Sequence, residues 1–131
     1  VVSLAHEKGI RVVPLTGPSS ILLALMASGL NGQSFCFHGY LPVKRPERIR
    51  KIKEIEQGAI RRGETQMFIE APYRNDALLA DILETCHPST MICIAADITL
   101  ESEFIHTKTA GAWKKKKPVL HKRPVLFLMG R

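Results

Sequence analysis

The sequence predicts an α/β protein, a mixed β-sheet flanked by helices. Two observations carry that expectation. Short apolar, β-rich runs alternate with segments of helical period through the first two thirds of the chain, the pattern of parallel βα units. The last third then offers three strand-like runs with only a short helical piece among them, so antiparallel strands should complete the sheet. With 131 residues, 45% of them hydrophobic and 24% charged, the chain is long enough to bury a core. It reads as one α/β domain over residues 1–131.

The opening, VVSLAHEKGIRVVPL, has no capping residue before its first apolar positions. It reads as a helix already under way, stopped by Gly9 as a C-terminal cap. The expectation is therefore a domain whose N-terminal part is missing, with a processed N-terminus as the alternative. A first strand is expected from Ile10 to Leu15. A helix over Ser20–Ser28 follows, capped by Ser19 or Ser20 and stopped at Gly29. Apolar residues on nearly every side of it predict burial. Asn31-Gly32 makes a turn, and SFCFHGYL is the next strand.

Pro46 suits a first helical position, and Ile49, Ile52, Ile55 and Ala59 recur on one face of the helix that follows. Gly63 ends it, TQMFIEA is a strand, and Pro72 stops that strand. NDALLADILETC is an amphipathic helix capped by Asn75 or Asp76, with Pro88 just beyond it. MICIAADIT and EFIHTKT are strands, AGAWKKKK is a short helical piece, and PVLFLMG is the last strand.

The longest apolar run, Ile21 to Ala27, is far too short to span a bilayer. No segment joins a basic start, an apolar middle and a small-residue cleavage site. Cys36, Cys86 and Cys93 are odd in number and form no CxxC pair, and Cys36 and Cys93, inside apolar runs, read as buried reduced thiols. The five histidines are scattered, without HExxH or zinc spacing. No metal and a cytoplasmic setting are expected.

The net charge of +7 is concentrated in two segments. Lys44 to Arg62 holds eight basic residues and three glutamates, and Lys114 to Arg123 holds six basic residues and no acid. Lys44, Arg45, Arg48 and Arg50, with Lys114, Lys115, Lys116 and Lys117, are the candidate RNA contacts. The alternative is a solvated helix face and a soluble loop.

Two bends are the candidates for carrying chemistry. In LTGPSS, a glycine lets backbone approach a ligand and the next helix offers free N–H donors. Neither a P-loop nor a GxGxxG motif is present, and a plain structural turn is the rival reading. In FIEAPYR, Glu70 ends a strand before Pro72, Tyr73 and Arg74. Arg74 either holds an anion while Glu70 orients it, or pairs with Glu70 to brace the turn. Asp97, Thr99 and Glu101 cluster after the following strand. No nucleophile with an attached base is visible.

In order, LTGPSS with ALMASGL, SFCFHGYLPVK with its basic helix, and FIEAPYR resemble the C-terminal half of a tetrapyrrole-methylase-superfamily enzyme. The nearest branch is the ribosomal RNA small-subunit (cytidine-2′-O-)-methyltransferases. The resemblance spans nearly the whole chain and implies two α/β domains with S-adenosylmethionine between them, usually in a homodimer. By matching positions it places Thr16, Gly17, Pro18, Ser19 and Ser20 at the cofactor cleft. Glu70, Pro72, Tyr73 and Arg74 come to the cofactor or substrate mouth. The implied reaction is in-line attack of an RNA hydroxyl on the sulfonium methyl, in which the protein mainly aligns the reactants. The resemblance names no catalytic base. Thr16, Ala71 and Tyr73 depart from the usual Pro, Ser and His, and Ala96-Asp97-Ile98-Thr99 replaces a common Arg-Glu-Leu-Thr, which weighs on the substrate. Methylation of a corrin or other tetrapyrrole precursor is the alternative within enzymes, and a non-catalytic basic RNA-binding module the alternative outside them.

Overall fold

A computed structural model describes all 131 residues. The helices are α1 (Val2–Glu7), α2 (Ser20–Ser28), α3 (Arg45–Arg62), α4 (Asn75–Thr85) and α5 (Ala110–Lys115). The strands are β1 (Phe35–Tyr40), β2 (Thr65–Ile69), β3 (Met91–Ala96), β4 (Phe104–Thr109) and β5 (Val125–Gly130). They form one sheet in the order β1-β2-β5-β3-β4. β1 and β2 pair in parallel, while β5 runs antiparallel to both β2 and β3, and β4 antiparallel to β3. The first three strands thus point one way and the last two return, as the expected mixed sheet requires.

Strand alternation sorts the core into two layers. Ile92 and Ile94 face α3, α4 and α5, where they pack with Ile52, Ile55, Leu78, Ile82 and Trp113. Trp113 is anchored there by its indole N–H, which donates to the Ile92 carbonyl at 2.9 Å. Cys93 and Ala95 face the other side with Met67, Leu126 and Leu128, under Ala24 and Leu25 of α2. Gly29 and Gly63 end α2 and α3 at φ 72° and 62°, the left-handed region in which a Cβ is unfavourable.

Several expectations are corrected. Residues 10–15 form no strand: they lie exposed, and none of the five strands pairs with them. An apolar run becomes a strand only through a ladder with a neighbour. α2 is not buried all round, because Leu22 and Met26 are exposed, Ile21 and Leu23 are half-buried, and only Ala24, Leu25 and Ser28 are fully buried. Ser19 is its N-cap residue, but no side chain caps the helix. Asn75 and Asp76 do not cap α4 either. Asn75 Nδ2 donates to the carbonyls of Arg123 (2.7 Å) and Leu120 (3.4 Å), and Asp76 Oδ1 accepts from Leu120 N–H. Both residues tie the segment before β5 to the start of α4.

Candidate functional site

β1, β2 and β3 end at one edge of the sheet, and β5 begins there because it runs against them. A hollow of about 380 Å³ opens at that edge, on the α2 side. Its apolar wall is built from residues such as Ile69, Ala95 and Leu126, and its polar residues are Ser20, Tyr40, Glu70 and Asp97. The start of α2 and the bend after β2 therefore meet in one cavity, with Pro72 beside Glu70. The volume falls within the roughly 300–1,000 Å³ of small-molecule sites.

Other members of the two bends stand back from it. Thr16, Gly17 and Pro18 are exposed and do not line the hollow, nor does Ser19. A Cβ on Gly17 would meet nothing within 4 Å, so no contact in this structure demands a glycine there. Tyr73 is exposed and turned to Arg74, whose Nη1 donates to its hydroxyl at 2.7 Å.

The second bend is a Glu–Arg brace. Arg74 Nε and Nη2 donate to Glu70 Oε1 at 3.0 and 2.8 Å, and the Ala71 N–H donates to the same oxygen at 2.7 Å. The Glu70 carboxylate raises the Arg74 pKa further above its ordinary value. Each guanidinium nitrogen of Arg74 makes one hydrogen bond and Arg74 does not line the hollow, so the pair braces the turn, and the buried atom left without a partner is on the acid. The Glu70 side chain is 1% exposed, and its Oε2 has no hydrogen-bond partner.

Asp97, just after β3, makes a matching arrangement. Its Oδ2 accepts from Arg123 Nε at 2.7 Å and from the Ser102 hydroxyl at 2.9 Å. Arg123 in turn reaches the Ser102 carbonyl. The hydrogen bond from Arg123 is the main cause that holds the Asp97 carboxyl below its usual range. Asp97 and Thr99 both take positive φ, 52° and 71°, uncommon for residues with a Cβ and a mark of a chain held by its surroundings. Thr99 and Glu101 themselves are exposed and outside the hollow.

Sequence reasoning passes over Tyr40, Arg123 and Pro124. Tyr40 and Pro124 line the hollow, and Arg123 orders Asp97. Only the insertion of β5 between β2 and β3 brings residues 123–126 to this edge, and no local pattern signals strand order.

The basic segments lie on the other face, with α3, α4 and α5. Lys44, Arg50 and Lys114 to Lys117 are exposed. Arg45 pairs with Asp81 and Glu84 at 2.9 and 2.8 Å yet stays half exposed. Lys114 and Lys117 flank the same Glu84 in a shallow depression, so the two segments meet across α4. Arg48 leaves the set of RNA contacts. Its side chain is 10% exposed, Nε and Nη2 bind Asp81 Oδ2, and Nη1 donates to the Val43 carbonyl.

No protein-family model matches the chain. Among curated proteins, it is 36% identical over 119 residues to ribosomal RNA small subunit methyltransferase I of Escherichia coli O157:H7. That match covers 88% of this chain and 40% of the relative. The protein of the same name from Vibrio cholerae is 36% identical over 105 residues, covering 80% of this chain and 35% of the relative. The chain thus spans well under half the length of these relatives. Among solved structures, the methyltransferase CobJ shares the fold with a TM-score of 0.60 at 20% identity, over 99% of this chain and 55% of that one. The cobalt precorrin-4 methyltransferase CbiF shares it with a TM-score of 0.55 at 14% identity, over 98% of this chain and 56% of that one. The chain is therefore a relative of the ribosomal RNA small subunit methyltransferases I that corresponds to a C-terminal part of them, built on the tetrapyrrole methylase fold.

Proposed function

We propose that this chain is the C-terminal α/β domain of an S-adenosylmethionine-dependent methyltransferase that modifies a ribose 2′-hydroxyl of small-subunit ribosomal RNA. The observation that carries the reading is the hollow in which Ser20, Glu70 and Pro72 meet at the strand ends. Its residues fit the cofactor: an apolar wall for a base and thioether, a buried unpartnered carboxylate oxygen, and room for a nucleoside. Ser20, Glu70 and Pro72 line the cofactor cleft, and Tyr73 stands at the substrate mouth. The cofactor supplies a methyl group on a sulfonium. This chain's residues bind and orient, the contribution that an in-line transfer most needs.

The names of the relatives and the basic α3–α4–α5 face support RNA as the substrate. Lys44, Arg50 and Lys114 to Lys117 contact its phosphates, and Arg45 joins them from its pair with Glu84. The reading takes the protein as a cytoplasmic homodimer at full length. No helix of the chain is long and apolar enough to cross a membrane. The fold neighbours favour a second reading, methylation of a tetrapyrrole precursor.

Methyl-labelled S-adenosylmethionine, given to the full-length protein with small ribosomal subunits or with tetrapyrrole precursors, separates the two. Label in ribosomal RNA, absent when the target nucleotide is already 2′-O-methylated, is the expected result. Label in the tetrapyrrole alone contradicts the proposal.

A further inference from the structure

Resting on that methyltransferase reading, we infer that Glu70 and Asp97 form a pair of hydrogen-bond acceptors that select the cofactor through its donor groups, the ribose diol or the ammonium. Both residues line one hollow, and their carboxylates share one design. Each has a single oxygen saturated by an arginine and a second donor: Arg74 and the Ala71 N–H on Glu70 Oε1, Arg123 and the Ser102 hydroxyl on Asp97 Oδ2. In each, the other oxygen takes no hydrogen bond from the protein. Glu70 Oε2 is buried without a partner, and such an oxygen is costly until something donates to it.

Neither arginine lines the hollow. Arg74 spends its three nitrogens on Glu70 and Tyr73, and Arg123 spends Nε and Nη2 on Asp97 and Ser102. Two acids at the hollow disfavour an anion such as phosphate and favour a ligand rich in N–H and O–H. Both acids can be inverted cleanly. In Glu70→Gln the amide oxygen must stay at the Oε1 position, where three N–H groups converge, so the NH₂ group occupies the free position. Asp97→Asn inverts in the same way, with its carbonyl kept by Arg123 and Ser102. Each swap places a donor where an acceptor stood and keeps the volume.

The test is calorimetry on the full-length protein with S-adenosylmethionine, S-adenosylhomocysteine, 5′-methylthioadenosine and the 2′,3′-dideoxy form of the last. Glu70→Gln and Asp97→Asn should each weaken S-adenosylmethionine by roughly tenfold to a hundredfold. The effect should vanish for whichever analogue lacks the donor that the residue accepts. Binding of S-adenosylmethionine within twofold of the parent, in both variants, overturns the inference. So does an equal weakening for every analogue, the signature of a merely structural role. Thermal melting checks each fold, and if one swap unfolds the protein the other decides alone. A parent protein that binds no S-adenosylmethionine refutes the methyltransferase reading itself and takes this inference with it.

Discussion

Arg48 and Arg74 show how differently an arginine behaves once its neighbours are in place. Arg48 and Asp81 form a buried pair between α3 and α4. Asp81→Ala would leave the guanidinium buried and unpaired, and should cost about 3–5 kcal/mol of stability by urea unfolding. Arg48→Ala should lower stability without changing RNA affinity, whereas Arg50→Ala should do the reverse. Asp97 carries a pH signature. Its carboxyl is held below its usual range mainly by the hydrogen bond from Arg123, so the folded state prefers it ionised. The stability this contributes is present in full above the unfolded-state pKa and disappears as pH falls through the folded one. Arg123→Gln should therefore destabilise at pH 7, by a margin that shrinks as acid protonates Asp97. A margin that is constant down to about pH 2 would contradict the assignment. The thiols rank by burial. Burial, with Glu56 nearby, pushes Cys86 up to about 12, and burial also raises Cys93, while Cys36, contrary to the expected burial, lies half-buried on edge strand β1. A thiol reagent near pH 8 should label Cys36 first and reach the others only on unfolding.

Among the elements, α3 does what its periodicity announces. Ile52, Ile55 and Ala59 are buried, and Ile52→Ala should cost about 2–5 kcal/mol by denaturant titration. The helices α2 to α4 and all five observed strands are legible in the sequence, since apolar period and Gly or Pro stops are local signals. Residues 10–15 are not, because the same apolar run is a strand only where a partner strand offers its ladder. The expected caps of α4 fail for a related reason. Asn75 and Asp76 are ordinary cap residues by type, but the segment before β5 competes for their polar atoms and wins. The Glu70–Arg74 pair is one of two options that the residue types allow, and they leave the direction of its free valence open. Which partner keeps an unengaged atom depends on Tyr73 and the Ala71 N–H, a matter of ångströms rather than of residue type.

For the molecule as a whole, the sheet separates two surfaces. The hollow lies on the α2 side at the strand ends, and the exposed lysines lie on the helical face opposite. The segment before β5 links them. It follows the lysines of α5, bonds to Asn75 and Asp76, and delivers Arg123 to Asp97 and Pro124 to the hollow. That link is invisible in sequence because it depends on β5 entering between β2 and β3. Replacing Lys114 to Lys117 by alanine should reduce the salt slope of RNA binding, by up to about 0.7–0.9 for each phosphate that is no longer neutralised. Cofactor affinity should stay unchanged. The central claim, that both bends face one ligand cavity, is tested most directly by amide hydrogen exchange on the full-length protein with and without S-adenosylmethionine. The account predicts slowed exchange at residues 20–23, 69–71 and 95–100, with none at 114–117. Protection confined to the α3–α4–α5 face, or absent from both bends, would contradict it.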